Sequence, residues 1–202
     1  MKRTISGMVG KGSVNHNTRA FTAKNVDSDR SGANIHFCNE DIKQVYHKLF
    51  DEALERYNAK QKRKDRVIDD YYEKIRQGKQ EKLFHEVIFQ IGNKDDMNAK
   101  SEEGLLAKKI LTEFMDEFQA RNPNLYVFSA HLHMDEETPH LHLNFIPWVS
   151  GCKRGLETKT SLKAALATRG FVSEGKGNTE WKQWAEAEKD DIALIMSRYG
   201  ID

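Results

Sequence analysis

Residues 131–145 read HLHMDEETPHLHLNF and hold four of the chain's eight histidines. The carboxylates Asp135 and Glu136 lie between the histidine pairs, near Thr138 and Pro139. β-forming residues flank the stretch, LYVFSA before it and LNFIP at its end, so it reads as two strands joined over Met134–Pro139. Side chains alternate between faces along a strand. His131 and His133 therefore share a face, and so do His140, His142 and Asn144. Paired as a hairpin, the strands put His133 near His140 and His131 near His142, at the roughly 5 Å of directly opposed residues. Tyr126, Phe128, Leu132, Leu141, Leu143 and Phe145 fall on the other face and bury. A lone histidine beside an apolar run is usually structural. Clustered neutral imidazoles are another matter, because they repel once protonated and a bound divalent ion offsets that cost. The polar face of this hairpin is a candidate metal site. Cysteine-based zinc chemistry does not fit, since Cys38 and Cys152 are isolated and lie outside the cluster.

The elements that must hold these side chains can be traced along the chain. Residues 3–9 (RTISGMV) predict a first strand, followed by a Gly/Ser/Asn-rich loop with His16 and an extended piece at Asn34–Phe37. Ile42, Val45 and Leu49, then Ile68, Tyr72 and Ile75, predict two peripheral helices within the charged stretch 40–77. Leu83–Ile91 reads as a strand turned by Gly92 and Asn93. Ser101 caps a helix striped by Leu106, Ile110, Phe114 and Phe118, and Asn122-Pro123 ends it. Beyond the hairpin come a loop (SGCKRGLETKTS), a short helix near Leu162–Arg169 and a last helix from Asn178-Thr179. That helix turns Trp181, Ala185, Ile192, Ile195 and Tyr199 inward and stops at Gly200. The tryptophans read as packing groups. No repeat of 20–50 residues is visible. The expected fold is α+β, one domain over residues 1–202, an antiparallel sheet with helices packed on one face and a polar face opposite.

Composition bounds the class. The chain is 38% hydrophobic and 31% charged, with mean hydropathy −0.74. It has no apolar run near the roughly 18 residues of a membrane span and no signal-peptide pattern at its start. Two isolated cysteines fit a reducing compartment, so a cytoplasmic location is expected. The net charge of +1 is unevenly spread. Residues 1–31 carry six basic against two acidic side chains, and residues 150–176 do the same. Local basic surface, not the total, sets phosphate binding.

His140-Leu141-His142 resembles the His-hydrophobic-His signature of HUH endonucleases. The longer string, His133-Met134-Asp135-Glu136 through Thr138-Pro139-His140-Leu141-His142, resembles the H-x-D-E-x-T-P-H-x-H motif of Mob/Pre (MobV-type) plasmid mobilisation relaxases. His16-Asn17-Thr18-Arg19 is similar to that family's first motif, and Asp29-Arg30-Ser31 with Asn34 to a second short block. The resemblance implies an HUH relaxase-like fold with metal and DNA on the polar sheet face. It implies nicking and covalent strand transfer at a plasmid or mobile-element origin of transfer. His133, His140 and His142 would hold a divalent ion, Mn2+ foremost, with Zn2+, Co2+, Ni2+ or Mg2+ as alternatives. His131, an addition to the family string, would stand behind the ligands, face DNA or compete as a ligand. His16 would attack phosphorus to give a phosphoramidate, oriented by Glu136, with Arg19 neutralising the scissile phosphate. Arg30, Asn34, Lys153, Arg154 and Lys159 join Arg19 as expected DNA contacts. The chain would be the N-terminal part of a longer protein, dimerising through a further region and meeting conjugation machinery.

Other readings share parts of this pattern. Within the relaxase reading, Tyr71-Tyr72 is the fallback nucleophile pair. A replication initiator or transposase of the HUH class would share the metal triad but carry a tyrosine in a helix after the histidine strand, where only Tyr199 follows and reads as packing. A DNA-binding repressor would use the histidines for a structural metal. A metallohydrolase of small phosphoesters would need no single-stranded DNA.

Overall fold

The structure, a computed structural model, describes residues 2–201. Six strands, β1 (Ile5–Val9), β2 (Ile35–Asn39), β3 (His85–Ile91), β4 (Leu125–His133), β5 (His140–Val149) and β6 (Lys159–Thr160), form one sheet. Its order is β1-β3-β5-β4-β2, with β6 added to β5, and every pairing is antiparallel. The helices are α1 (Val14–Asn17), α2 (Ile42–Ala59), α3 (Tyr71–Gln77), α4 (Glu102–Arg121), α5 (Leu162–Ala167) and α6 (Glu180–Arg198). Side-chain caps mark the expected starts: Ser101 Oγ accepts from the Gly104 amide, and Thr179 Oγ1 from that of Lys182. Among the described residues no helix is long and apolar enough to cross a membrane.

The hairpin is the centre of the sheet. β4 and β5 pair with His133 opposite His140 and His131 opposite His142, the register expected from alternation. Leu132, Leu141, Leu143 and Phe145 point to the other face, where they join Val87, Phe89, Ile110, Phe114, Phe118 and Trp184 in the main core beneath α4, α5 and α6. The open antiparallel sheet with packed helices is therefore as expected, with α4, α5 and α6 on the face away from the histidines. Trp184 is fully buried and Trp181 packs against the same core, so the tryptophans are packing groups.

Two features differ from the expectation. A β-bulge between Val127 and Ser129 inserts one residue into β4 and flips the strand end. Tyr126 and Phe128 thus leave the main core and stand on the histidine face, where Phe128 packs with Val45, Tyr46, Phe50 and Ile146. That second core carries α2 and α3. The histidine face is divided: its far half is apolar and roofed by helices, and its near half holds the imidazoles.

Candidate metal centre

His133 ends β4 and His140 begins β5, with His142 one pleat further on. Their ring centroids are 5.3 Å apart for His133–His140, 4.8 Å for His133–His142 and 5.0 Å for His140–His142. Each ring has one nitrogen committed to an oxygen acceptor. His133 Nε2 donates to the Asn17 carbonyl at 2.8 Å, His140 Nδ1 to the Thr138 carbonyl at 2.8 Å, and His142 Nδ1 to Glu86 Oε1 at 2.8 Å. An acceptor on one nitrogen fixes the tautomer and leaves a lone pair on the other. The remaining atoms are His133 Nδ1, His140 Nε2 and His142 Nε2. Of these, His133 Nδ1 and His142 Nε2 are buried with no hydrogen-bond partner. Burial, with the neighbouring His142 next in size, lowers the pKa of His133 to about 2 and also holds that of His140 down. Imidazoles tethered at the back, with unpaired inner nitrogens on His133 and His142, fit a divalent ion.

His16, in the single turn of α1, faces the same space. Its ligand-capable atoms lie within 4.8 Å of those of His133 and His142, and His133, Glu136 and His140 form a second such group. Burial and the charge of Arg19 lower the His16 pKa. Arg19 Nη1 lies 3.3 Å from His16 Nε2, a contact that places the lone pair on that nitrogen. Glu136 Oε1 is 3.7 Å from His16 Nε2, beyond hydrogen-bond range, and sits 3.7 Å from His140 Nε2 and 3.9 Å from His133 Nδ1. It accepts instead from Arg19 Nη2 at 2.8 Å, and Oε2 accepts from Asn25 Nδ2 at 2.7 Å.

Arg19 is more constrained than a phosphate contact requires. Its guanidinium makes a two-pronged pair with the fully buried Asp135, Nε to Oδ2 at 3.0 Å and Nη2 to Oδ1 at 2.6 Å. Its backbone has φ 57°, the left-handed region, alone among the described non-glycine residues. Such a conformation costs on the order of 1–3 kcal/mol and persists where contacts over-determine it. Asp135 also accepts from Ser31 Oγ at 2.8 Å and Asn34 Nδ2 at 2.7 Å. Burial opposes its ionisation, but the bonds from Arg19, Asn34 and Ser31 outweigh that and hold its pKa well below the usual carboxylate range.

The remaining expected site residues divide by location. Arg30 donates to the Met134 and Glu136 carbonyls at 2.6 and 3.0 Å, and Asn34 Oδ1 accepts from the Met134 amide at 2.6 Å. Both therefore brace the hairpin loop with the groups that were expected to face DNA. Lys153 and Arg154 are exposed in the loop after β5, and Lys159 starts β6. Val149 is seven residues along β5 from His142, roughly 23 Å at about 3.3 Å per residue, so this basic segment is not part of the histidine cluster. His131 has both nitrogens occupied, Nδ1 at 2.7 Å from His36 Nδ1 and Nε2 at 2.9 Å from Ser129 Oγ, and so does not compete as a ligand. Tyr71 is buried against Phe50 and Tyr46, its pKa pushed up to about 12 by burial, and Tyr72 stacks edge-on to Tyr46. The tyrosine pair belongs to the helical half of the face.

Two residues escaped the sequence reading as site groups. Glu86, 5% exposed on β3, accepts from His142 Nδ1 and from Asn17 Nδ2 (2.6 Å) on Oε1 and from the Gly12 amide (2.6 Å) on Oε2. Burial raises its pKa, and the bonds from His142, Asn17 and Gly12 more than reverse that. Asn17, 1% exposed, bonds Glu86 and also reaches Asn144 Oδ1 at 3.3 Å. A lone carboxylate amid the apolar strand HEVIFQI was the available signal for Glu86.

Comparison with known proteins adds the following. A family described as plasmid recombination enzyme, Mob_Pre, matches residues 39–169. The match takes in the hairpin and Glu86 but not His16, Arg19, Arg30 or Asn34. No curated protein sequence matches the chain. Three solved structures of the MobM relaxase domain (MOBV; Mob_Pre), each Mn-bound and with plasmid pMV158 oriT DNA, share the fold. The pH 5.5 and pH 4.6 structures are each 20% identical, with TM-scores of 0.54 and 0.55, and cover all of this chain and 88% and 89% of theirs. The thiophosphate-containing one is 21% identical, with a TM-score of 0.52, covering all of this chain and 88% of its own.

Proposed function

The chain belongs to the Mob_Pre family of plasmid recombination enzymes, and from that membership we propose that it nicks one strand at an origin of transfer and stays covalently joined to the DNA end. The observation that carries this reading is the set of three tethered imidazoles, two of them, His133 and His142, with buried unpaired inner nitrogens, beside a fourth histidine, His16. His133, His140 and His142 would hold the divalent ion, Mn2+ first because the MobM structures are Mn-bound. When bound, the ion supplies Lewis-acid stabilisation of the charge that develops on the scissile phosphate.

The chain's own groups do the rest. His16 Nε2 attacks phosphorus: a P–N bond forms, one P–O ester bond breaks, and the released oxygen gains a proton to match the one lost from His16 Nδ1. Arg19 keeps His16 neutral with its lone pair on Nε2, and Asp135 holds Arg19 in place. Glu136, 3.7 Å from His16 Nε2, accepts from Arg19 and so helps to hold that guanidinium beside the nucleophile. Origin DNA is the partner, with the conjugation machinery downstream of it.

Mass spectrometry of the covalent protein–oligonucleotide adduct tests this. The adduct should map to the His16 peptide, be acid-labile as P–N bonds to imidazole are, and be absent from His16→Ala, which still binds metal. An acid-stable adduct on a tyrosine would overturn the histidine nucleophile, and Mn2+-independent cleavage of generic phosphoesters without any adduct would overturn the nicking function.

A further inference from the structure

His16 has no side-chain partner strong enough to place it. Its contact with Arg19 is long at 3.3 Å, and Glu136 stands off at 3.7 Å. α1 is one turn, too short to be rigid by itself. The segment is nevertheless fixed, at Arg19 by Asp135 and, toward the histidine site, through the next residue. The Asn17 carbonyl receives His133 Nε2–H, while its side-chain amide donates to Glu86, the same carboxylate oxygen that receives His142 Nδ1–H. One residue beside His16 thus reaches the backs of two proposed ligands, directly for His133 and through Glu86 for His142. Three donors, from His142, Asn17 and Gly12, converge on the two oxygens of Glu86. Gly10 is required for the same reason, since a Cβ there would collide with that carboxylate.

We propose that Glu86 and Asn17 act as one positioning device, tying the placement of His16 to occupancy of the histidine site. Neither touches the reacting atoms. Binding at His133 and His142 fixes their rings, the rings fix Asn17 and Glu86, and Asn17 carries His16 into line. Linkage makes this reciprocal: loosening Asn17 or Glu86 weakens metal binding and displaces the nucleophile together. The proposal rests on the nicking function above.

The test uses the whole chain, wild type and Asn17→Ala, Glu86→Gln and the double variant, each first checked for an unchanged metal-free urea unfolding midpoint. Calorimetry with Mn2+ alone should show each single variant binding about 10–100-fold more weakly, the usual loss when a group behind a ligand is removed. At saturating Mn2+ each should still form the oligonucleotide adduct about 100-fold more slowly, as for an ångström-scale misplacement. The double variant should be no worse than the poorer single one, because the two residues act as a unit. Full rescue of the rate by Mn2+, or losses that multiply, would overturn the proposal. A DNA-free arm separates its failure from that of the nicking function. Adding Zn2+ should shift the His16 ring resonances more in the wild type than in Asn17→Ala, which keeps the carbonyl that receives from His133 but loses the amide to Glu86, and equal response in both, or none in the wild type, also rejects it.

Discussion

At the scale of single residues, the site is built by commitment of ring nitrogens. His131 and His142 sit directly opposite each other on adjacent strands, yet their roles diverge because of what touches them. Ser129 and His36 consume both nitrogens of His131, whereas Glu86 consumes one nitrogen of His142 and leaves the other unpaired. The substitutions His142→Ala and His131→Ala should therefore separate. Thermal stabilisation by Mn2+, about 2.7 kcal/mol when the ion is at 100 times its dissociation constant, should vanish in His142→Ala and persist in His131→Ala. Melting curves with and without Mn2+ decide this, and equal loss in both variants would place His131 among the ligands.

At the scale of elements, the hairpin was legible because a period of two is a strong local pattern. Its register, His133 on His140 and His131 on His142, follows from alternation alone. The helices on Ser101 and Thr179 were legible through their caps. The bulge in β4 was not, since an inserted residue leaves LYVFSA looking like any strand while moving Tyr126 and Phe128 to the other face. Nor were Asn17 and Glu86, whose partners lie 56 and more residues away in the chain. Arg30 and Asn34 belonged to a recognisable block, but only the fold shows that they brace the hairpin loop. The strands also carry a pH dependence. Burial lowers His85 on β3 and His131 on β4 each to about 4, from a model-peptide value near 6.5. The folded state thus binds fewer protons than the unfolded one between those values. Their stability contribution is present above about pH 6.5 and is lost as pH falls toward 4, by up to about 1.4 kcal/mol per pH unit for each group. Urea unfolding of the metal-free chain at pH 7.5, 6 and 5 should show the fall, and a midpoint flat across that range would contradict it.

At the scale of the whole molecule, the fold separates the two basic segments that the sequence places near each end. Lys153 and Arg154 are exposed in the loop after the far end of β5, which lies against the C-terminal half of α2. Nearer the histidines, Lys11, Arg76 and Lys82 are exposed along a groove of about 440 Å³ whose wall includes Gly10, Gly12 and Glu86. The groove shares its wall with the carboxylate behind His142, so a strand whose phosphate enters the site would run along these cations first. This geometry separates short from long DNA. For an oligonucleotide just spanning the nick, Lys11→Glu with Lys82→Glu should weaken binding and flatten the log–log salt dependence by about 0.7 per lost phosphate contact. Lys153→Glu with Arg154→Glu should leave that short complex unchanged and act only on DNA long enough to cover the further 20 Å or so along β5. Binding isotherms at several salt concentrations for both lengths supply the test. If reversal at Lys153 and Arg154 flattens the short-DNA slope while reversal at Lys11 and Lys82 does not, the strand approaches from the opposite end of the sheet.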